Sequence, residues 1–322
     1  MKNFNQSNFF HRTGFLLNII VIAFFISILT SYSQSYSPIG GWSAEVNQKL
    51  ETFLDSTQHL KTRKVAVFDG DGTVFGQVPN YLADEALYLY ADEHFRGKSD
   101  PYSVEKMEII NRMIDNGNNV SKEYVEDRVH FLSGLTPERI EEIGYDCYQR
   151  FYNDKIYPEM IELIANLKVN DFEVWVITAS PELLYQKFLS EVLGIPKVNV
   201  VGVKSVVVDG KVSNVMIQPI PQDDGKANAL ETFIKVEPLI VGGNSRGDMD
   251  MLNKSIGLKI VVNPGDKKVR GEDDGEMNGC TVKSYWKKEG VLIVNCNDVP
   301  IPNVDFYTTK WKIRKNIAHL KD

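Results

Sequence analysis

Four short stretches of the chain hold side chains whose types and spacing could do chemistry. Asp69 and Asp71 stand two residues apart in Asp69-Gly70-Asp71-Gly72-Thr73, directly after an apolar run at 64–68. Thr178 and Ser180 follow a second apolar run at 172–177, and Lys226 follows Gly225 at a helix-like start. Asn244, Ser245 and Asp248 follow a third run at 238–241 through Gly242 and Gly243. Two neighbouring carboxylates can divide labour, one attacking and one moving protons. A hydroxyl and a lysine can hold a transferring oxyanion. Carboxylate and amide oxygens suit a hard cation such as Mg²⁺, which keeps several of its waters. The set fits a phosphate and a divalent metal. A plain turn would account for Asp-Gly-Asp-Gly, but it leaves Lys226 and Asp248 without a purpose.

Elements must bring these stretches together. Each follows a strand-like run and precedes a helix-like one, and a fifth strand is expected at 258–262. This alternation predicts an α/β fold, a Rossmann-like parallel sheet with helices on both faces. Ligands of such sheets gather at the carboxyl ends of the strands. Between the first two strands, residues 80–168 read as helical throughout, with Leu82, Ala86 and Tyr90 on one face and a helix start at Thr136-Pro137-Glu138. They predict an inserted α-helical subdomain. A helix over 181–193 takes Ser180 as its N-cap and stops at Gly194. Asp209-Gly210 joins β-rich runs at 198–208 and 211–217 as a hairpin. The plan is a core of 34–79 and 169–265, a cap of 80–168, and a C-terminal extension of 266–322.

The four stretches together resemble the motifs of the haloacid dehalogenase superfamily, in their phosphatase form. V-F-D-G-D-G-T-V resembles the first, V-W-V-I-T-A-S the second, D-G-K-A-N-A-L the third and V-G-G-N-S-R-G-D-M-D-M-L the fourth, in the family's order. The helical insertion resembles the cap of the phosphoserine-phosphatase-like branch. The resemblance implies Asp69 as nucleophile and Asp71 as general acid and base, with Thr178 and Lys226 binding the phosphoryl group. It implies Mg²⁺ held by Asp69, Asp71, residue 244 and Asp248. Asp71 favours C–O–P hydrolysis, since family members that expel a halide or cleave a phosphonate lack this second carboxylate. The chain departs from the pattern at Asn244, where the family usually has Asp. One ligand charge is gone, and Asp248 is expected to supply it directly or through water. The implied activity is an exported, Mg²⁺-dependent phosphohydrolase acting on small phosphomonoesters through an aspartyl-phosphate. Its rivals are a phosphotransferase of the same superfamily and a catalytically weakened phospholigand-binding protein.

Substrate choice is expected in the cap. Tyr81, Tyr88, Tyr90, Phe95 and Tyr102 make its first part aromatic. Such faces can bind a quaternary ammonium or simply form core at helical spacing. Arg112, Arg128, Arg139 and Arg150 are candidates for an anionic substrate group.

Composition bounds the rest. Among 322 residues, 43% are hydrophobic and 25% charged, ordinary globular usage that excludes a disordered or polytopic membrane chain. A net charge of −7 speaks against a nucleic-acid partner. Lys2 and Arg12 precede an apolar run at 15–29, and Ser31 and Ser33 follow it. This pattern reads as a secretory signal peptide over 1–33, cleaved after Ser33. The expected location is periplasmic or secreted, with membrane contact only where that segment stays uncleaved as an anchor. Cys280 and Cys296 either pair in an oxidising compartment or are unrelated thiols. Cys147, on a helical stripe with Ile140 and Ile143, reads as a small buried apolar residue. The tail at 306–322 is aromatic and basic and reads as a solvated terminal helix.

Overall fold

The computed structural model describes residues 36–77, 80–266, 268, 277, 279–288 and 290–298. The chain divides into Met1–Ser37 and Pro38–Asp322. Of the first unit, Tyr36 and Ser37 are described, and neither lies in a helix or strand. The expected signal peptide and the basic tail lie outside the described residues. Among the described residues no helix is long and apolar enough to cross a membrane.

The second unit is built on strand β1 (Lys64–Asp69), whose six residues are all buried. Its run of Val65, Ala66, Val67 and Phe68 is what a strand covered on both faces requires. It pairs in parallel with β2 (Phe172–Pro181) on one side and β5 (Ile240–Gly243) on the other. With β3 (Val200–Val208), β4 (Lys211–Ile217), β6 (Leu258–Val262) and β7 (Val291–Val294), the sheet order is β4-β3-β2-β1-β5-β6-β7. All pairings are parallel except β3 with β4, the expected hairpin. The α/β, Rossmann-like fold class is therefore observed.

Val291–Val294, within the stretch expected as an extension beyond residue 265, pairs in parallel with β6 and buries Leu292 and Val294. Four apolar residues are too few for periodicity to separate an added strand from a loop.

Helix α1 (Ala44–Thr57) precedes the sheet, with Ser43 as its N-cap. Between β1 and β2 come α2 (Leu82–His94), α3 (Pro101–Asn116), α4 (Lys122–Leu132), α5 (Pro137–Cys147) and α6 (Pro158–Val169). Asp100, Ser121 and Thr136 cap α3, α4 and α5 through side-chain oxygens, and Pro101 and Pro137 sit at the favoured first turn. The last helix, α6, lies against β2. It covers the sheet instead of joining the inserted helices, a partnership that helical periodicity cannot reveal. Helices α7 (Leu183–Leu193), α8 (Asp224–Ala229), α9 (Met249–Asn253) and the short α10 (Val282–Tyr285) follow later strands. One buried cluster joins Val65, Val67, Ile177, Val241 and Val261 to Leu230, Met251, Leu252 and Trp286. Gly144 lets α5 approach α7 closely, because a Cβ there would overlap the backbone of Leu184.

Candidate active site

The first stretch turns sharply as it leaves β1. Amides of Thr73, Val74 and Phe75 all point to the Gly70 carbonyl, at 3.2, 2.9 and 3.4 Å. Gly72 takes φ 82°, and an added Cβ would overlap the Asn244 side-chain amide and press on Gln77. A glycine is therefore required both by the backbone angle and by the approach of the fourth stretch.

This turn presents the two carboxylates differently. Asp69 Oδ1 accepts from Lys226 Nζ at 2.5 Å, and its Oδ2 accepts from Thr73 Oγ1 at 3.1 Å. Asp71 accepts from the Tyr185 hydroxyl, at 2.9 Å to Oδ2 and 3.1 Å to Oδ1. Both side chains are buried. Burial, reinforced by the charge of Asp248 and opposed by Lys226, pushes Asp69 up to about 7. Burial likewise pushes Asp71 up to about 6, against the Tyr185 hydrogen bond and the Arg128 charge.

Lys226 reaches the crevice from the first turn of α8, where Gly225 packs under the Ile220 carbonyl with no room for a side chain. Its Nζ also donates to Asp248 Oδ1 at 2.6 Å. Burial opposes its charge, but the two carboxylates hold its pKa well above the usual lysine range. Asp248 is fully buried, and its Oδ2 accepts from the Asn244 amide, the Ser245 amide and Ser245 Oγ, each at 3.0 Å. Despite burial, Lys226 and these amides keep its pKa low.

Asp69, Asp71, Thr178, Lys226 and Asn244 all line one cavity of about 330 Å³. Asp248 does not line it. Both of its oxygens are engaged, by Lys226 and by the turn after β5. Among the described residues no three His, Cys, Asp or Glu side chains are grouped to hold a metal. What remains for a cation is Asp69, Asn244 and the Asp71 backbone carbonyl. That set fits Mg²⁺ in its chemistry, being all oxygen, few in number and leaving room for water. The charge also fits, since Lys226 is shared between the Asp69 and Asp248 carboxylates while Asp71 meets only the Tyr185 hydroxyl by hydrogen bond.

Other expectations are redistributed. Ser180 is not the N-cap of α7. β2 runs on through Pro181, Glu182 takes the cap position, and Ser180 Oγ lies 3.1 Å from the Tyr185 hydroxyl. Thr178 Oγ1 accepts from the Ser180 amide at 3.2 Å. Of the five cap aromatics, Tyr81 alone lines the cavity. Tyr88 is buried with its hydroxyl 3.0 Å from Tyr124, and Tyr90, Phe95 and Tyr102 pack on one another. No aromatic box for a quaternary ammonium is formed by them. Of the four arginines, Arg128 alone lines the cavity. Its Nε and Nη2 both donate to Asp84 Oδ1, at 2.9 and 2.7 Å. Arg112, Arg139 and Arg150 are half-exposed and paired with Asp127, Glu142 and Glu93. The three cysteines are free, with Cys147 buried as expected.

Tyr185 is the site residue that sequence reasoning missed. Its one sequence signal is its place on the buried stripe of α7 with Leu184, Phe188 and Leu189. A tyrosine there brings a hydroxyl that must find a partner.

A family model for the haloacid dehalogenase-like hydrolases matches residues 66–253, which contain Asp69, Asp71, Thr178, Tyr185, Lys226, Asn244 and Asp248. The chain is a haloacid dehalogenase-like hydrolase. No curated protein matches it. Among solved structures, it is similar to a conserved functionally unknown protein from Anaerococcus prevotii DSM 20548, with 13% identity and a TM-score of 0.59 over 82% of this chain and 97% of that one. A protein of unknown function from Bordetella pertussis Tohama I is similar at 14% identity and a TM-score of 0.54, over 73% and 99%. Both share the fold of this hydrolase. A phospho-aspartyl intermediate analogue of phosphoserine phosphatase is 22% identical over 63% and 87%, with a TM-score of 0.40.

Proposed function

We propose that this hydrolase is a Mg²⁺-dependent phosphohydrolase that cleaves small phosphomonoesters through an aspartyl-phosphate on Asp69. The observation that carries the reading is the unlike pairing of two carboxylates on one turn. Asp69 meets a lysine, which suits an attacking anion, and Asp71 meets a neutral hydroxyl, which leaves it able to exchange a proton.

In this reading an Asp69 oxygen attacks phosphorus, and the P–O bond to the leaving group breaks. Asp71 gives its proton to the departing oxygen. Asp71, now ionised, takes a proton from water, which attacks the phosphorus and frees Asp69. Lys226 and Thr178 hold the phosphoryl oxygens throughout. Asp69, the Asp71 carbonyl and Asn244 would hold Mg²⁺, which neutralises phosphoryl charge when bound. Arg128 and Tyr81 border the space left for the alcohol. We also propose export, supported by the signal-like residues 1–33, with a location in the periplasm or outside the cell.

The test is turnover of para-nitrophenyl phosphate with and without Mg²⁺, by the wild-type chain and by Asp69→Asn. The variant is expected to lose turnover, because an amide forms no acyl-phosphate. Retention of more than about a tenth of kcat, a barrier change under about 1.4 kcal/mol, overturns the assignment. Product partition in added alcohol separates hydrolysis from phosphotransfer.

A further inference from the structure

Helix α2, the first of the inserted helices, begins with amides that need acceptors from outside the helix. Its N-cap position holds Tyr81, a residue type with no oxygen near its own backbone. The acceptors come from the site instead. The Leu82 amide acts on the Asp71 carboxylate, lowering its pKa against burial. The next amide, Ala83, donates to Tyr185 Oη at 3.2 Å.

The Tyr185 hydroxyl has one proton and two lone pairs. The hydroxyl donates this proton to Asp71, at 2.9 Å to Oδ2. The oxygen also accepts from the Ala83 N–H, and Ser180 Oγ lies 3.1 Å away as a further acceptor for the hydroxyl proton. The ring cannot swing, since it is wholly buried with centroids 5.8 Å from Phe75 and 5.6 Å from Phe188.

We propose that Tyr185 is a positioning residue for Asp71, which registers the carboxylate against the first turn of α2 and so ties proton transfer to the seating of the inserted helices. The proposal rests on the phosphohydrolase reading of Asp71. Its signature is selective. A poor leaving group needs the proton of Asp71 and a nitrophenolate hardly does, so a misaligned Asp71 penalises alkyl esters most.

The experiment compares wild type, Tyr185→Phe, Asp71→Asn and the double variant on para-nitrophenyl phosphate and ethyl phosphate. The readout is kcat/KM, which reports the first irreversible step. In Tyr185→Phe the value for ethyl phosphate is expected to fall about tenfold further than that for the aryl ester. In the Asp71→Asn background the same change should move the ratio by less than about twofold, since Tyr185 acts through Asp71. Equal losses on both esters, or a full further shift in the Asp71→Asn background, overturn the proposal. Amide exchange in the first turn of α2 supplies a readout independent of turnover. It is expected to speed up in both single variants, and unchanged protection in Asp71→Asn overturns the coupling to α2 even where Tyr185→Phe folds poorly. Failure of the parent reading looks different: the wild-type chain then turns over neither ester, and both proposals fall. Wild-type turnover with an unchanged ratio in Tyr185→Phe overturns this one alone.

Discussion

Replacing Asp248 by Asn separates two jobs that the sequence pattern merges. If the carboxylate is a buckle for Lys226 and the turn after β5, the damage appears without any metal. Asp248 accepts from Lys226 Nζ at 2.6 Å and from three donors of residues 244 and 245 at 3.0 Å, with no exposure. An amide keeps one accepting oxygen. Placed toward Lys226, it aims its NH₂ group at three donors; flipped, it aims that group at the ammonium. Breaking a buried ion pair costs about 3–5 kcal/mol. Lys226 retains Asp69 at 2.5 Å, which moves the expectation to the lower end. The loss expected for Asp248→Asn is about 3 kcal/mol, a fall in Tm on the order of 5–10 °C for a chain of this size. Urea and thermal unfolding, run in EDTA and again with Mg²⁺, measure it. Metal-free stability within about 0.5 kcal/mol of wild type, with a deficit only when Mg²⁺ is present, would refute the buckle and restore Asp248 as a ligand.

Two further outcomes follow from neighbouring features. Asn244→Asp should lower the Mg²⁺ concentration for half-maximal turnover, by about 1 kcal/mol of binding, because it adds a charge beside the proposed cation; a titration at fixed ionic strength showing no shift or a weaker one counts against residue 244 as a ligand. Lys106, whose ammonium donates to the carbonyls of His130 and Ser133 at 3.0 and 2.8 Å, is pulled down to about 8 by burial. A folded-state pKa below the unfolded one adds stability as pH rises from about 8 through about 10, and that gain is lost as pH falls back through 8. The stability of wild type relative to Lys106→Met should therefore increase between about pH 7 and pH 10 in urea unfolding, and a flat difference would show that the ammonium is not desolvated.

Chain pattern is enough for the fold class and for five side chains of the crevice. The run 64–69 is apolar enough to lie at the centre of a sheet, three of the chemical stretches end a strand and the remaining one opens a helix, and Asp69, Asp71, Thr178, Lys226 and Asn244 meet in one cavity. Local chemistry also determined the helix starts, since Asp100, Ser121 and Thr136 cap through bonds only three residues long. What the tertiary structure decided was which partner each polar group meets. Asp248 reads as a metal ligand in the motif and becomes the anchor of Lys226, because a carboxylate's role depends on the donors around its oxygens. Ser180 reads as a helix cap and becomes a neighbour of Tyr185, because β2 continues past it. Arg128 differs from three other cap arginines only in being buried against Asp84 at the cavity wall. Tyr185 lies more than a hundred residues from Asp71 in the chain. Pattern and spacing describe neighbours along the backbone, whereas a hydrogen bond between distant residues exists only once packing has brought its two ends together.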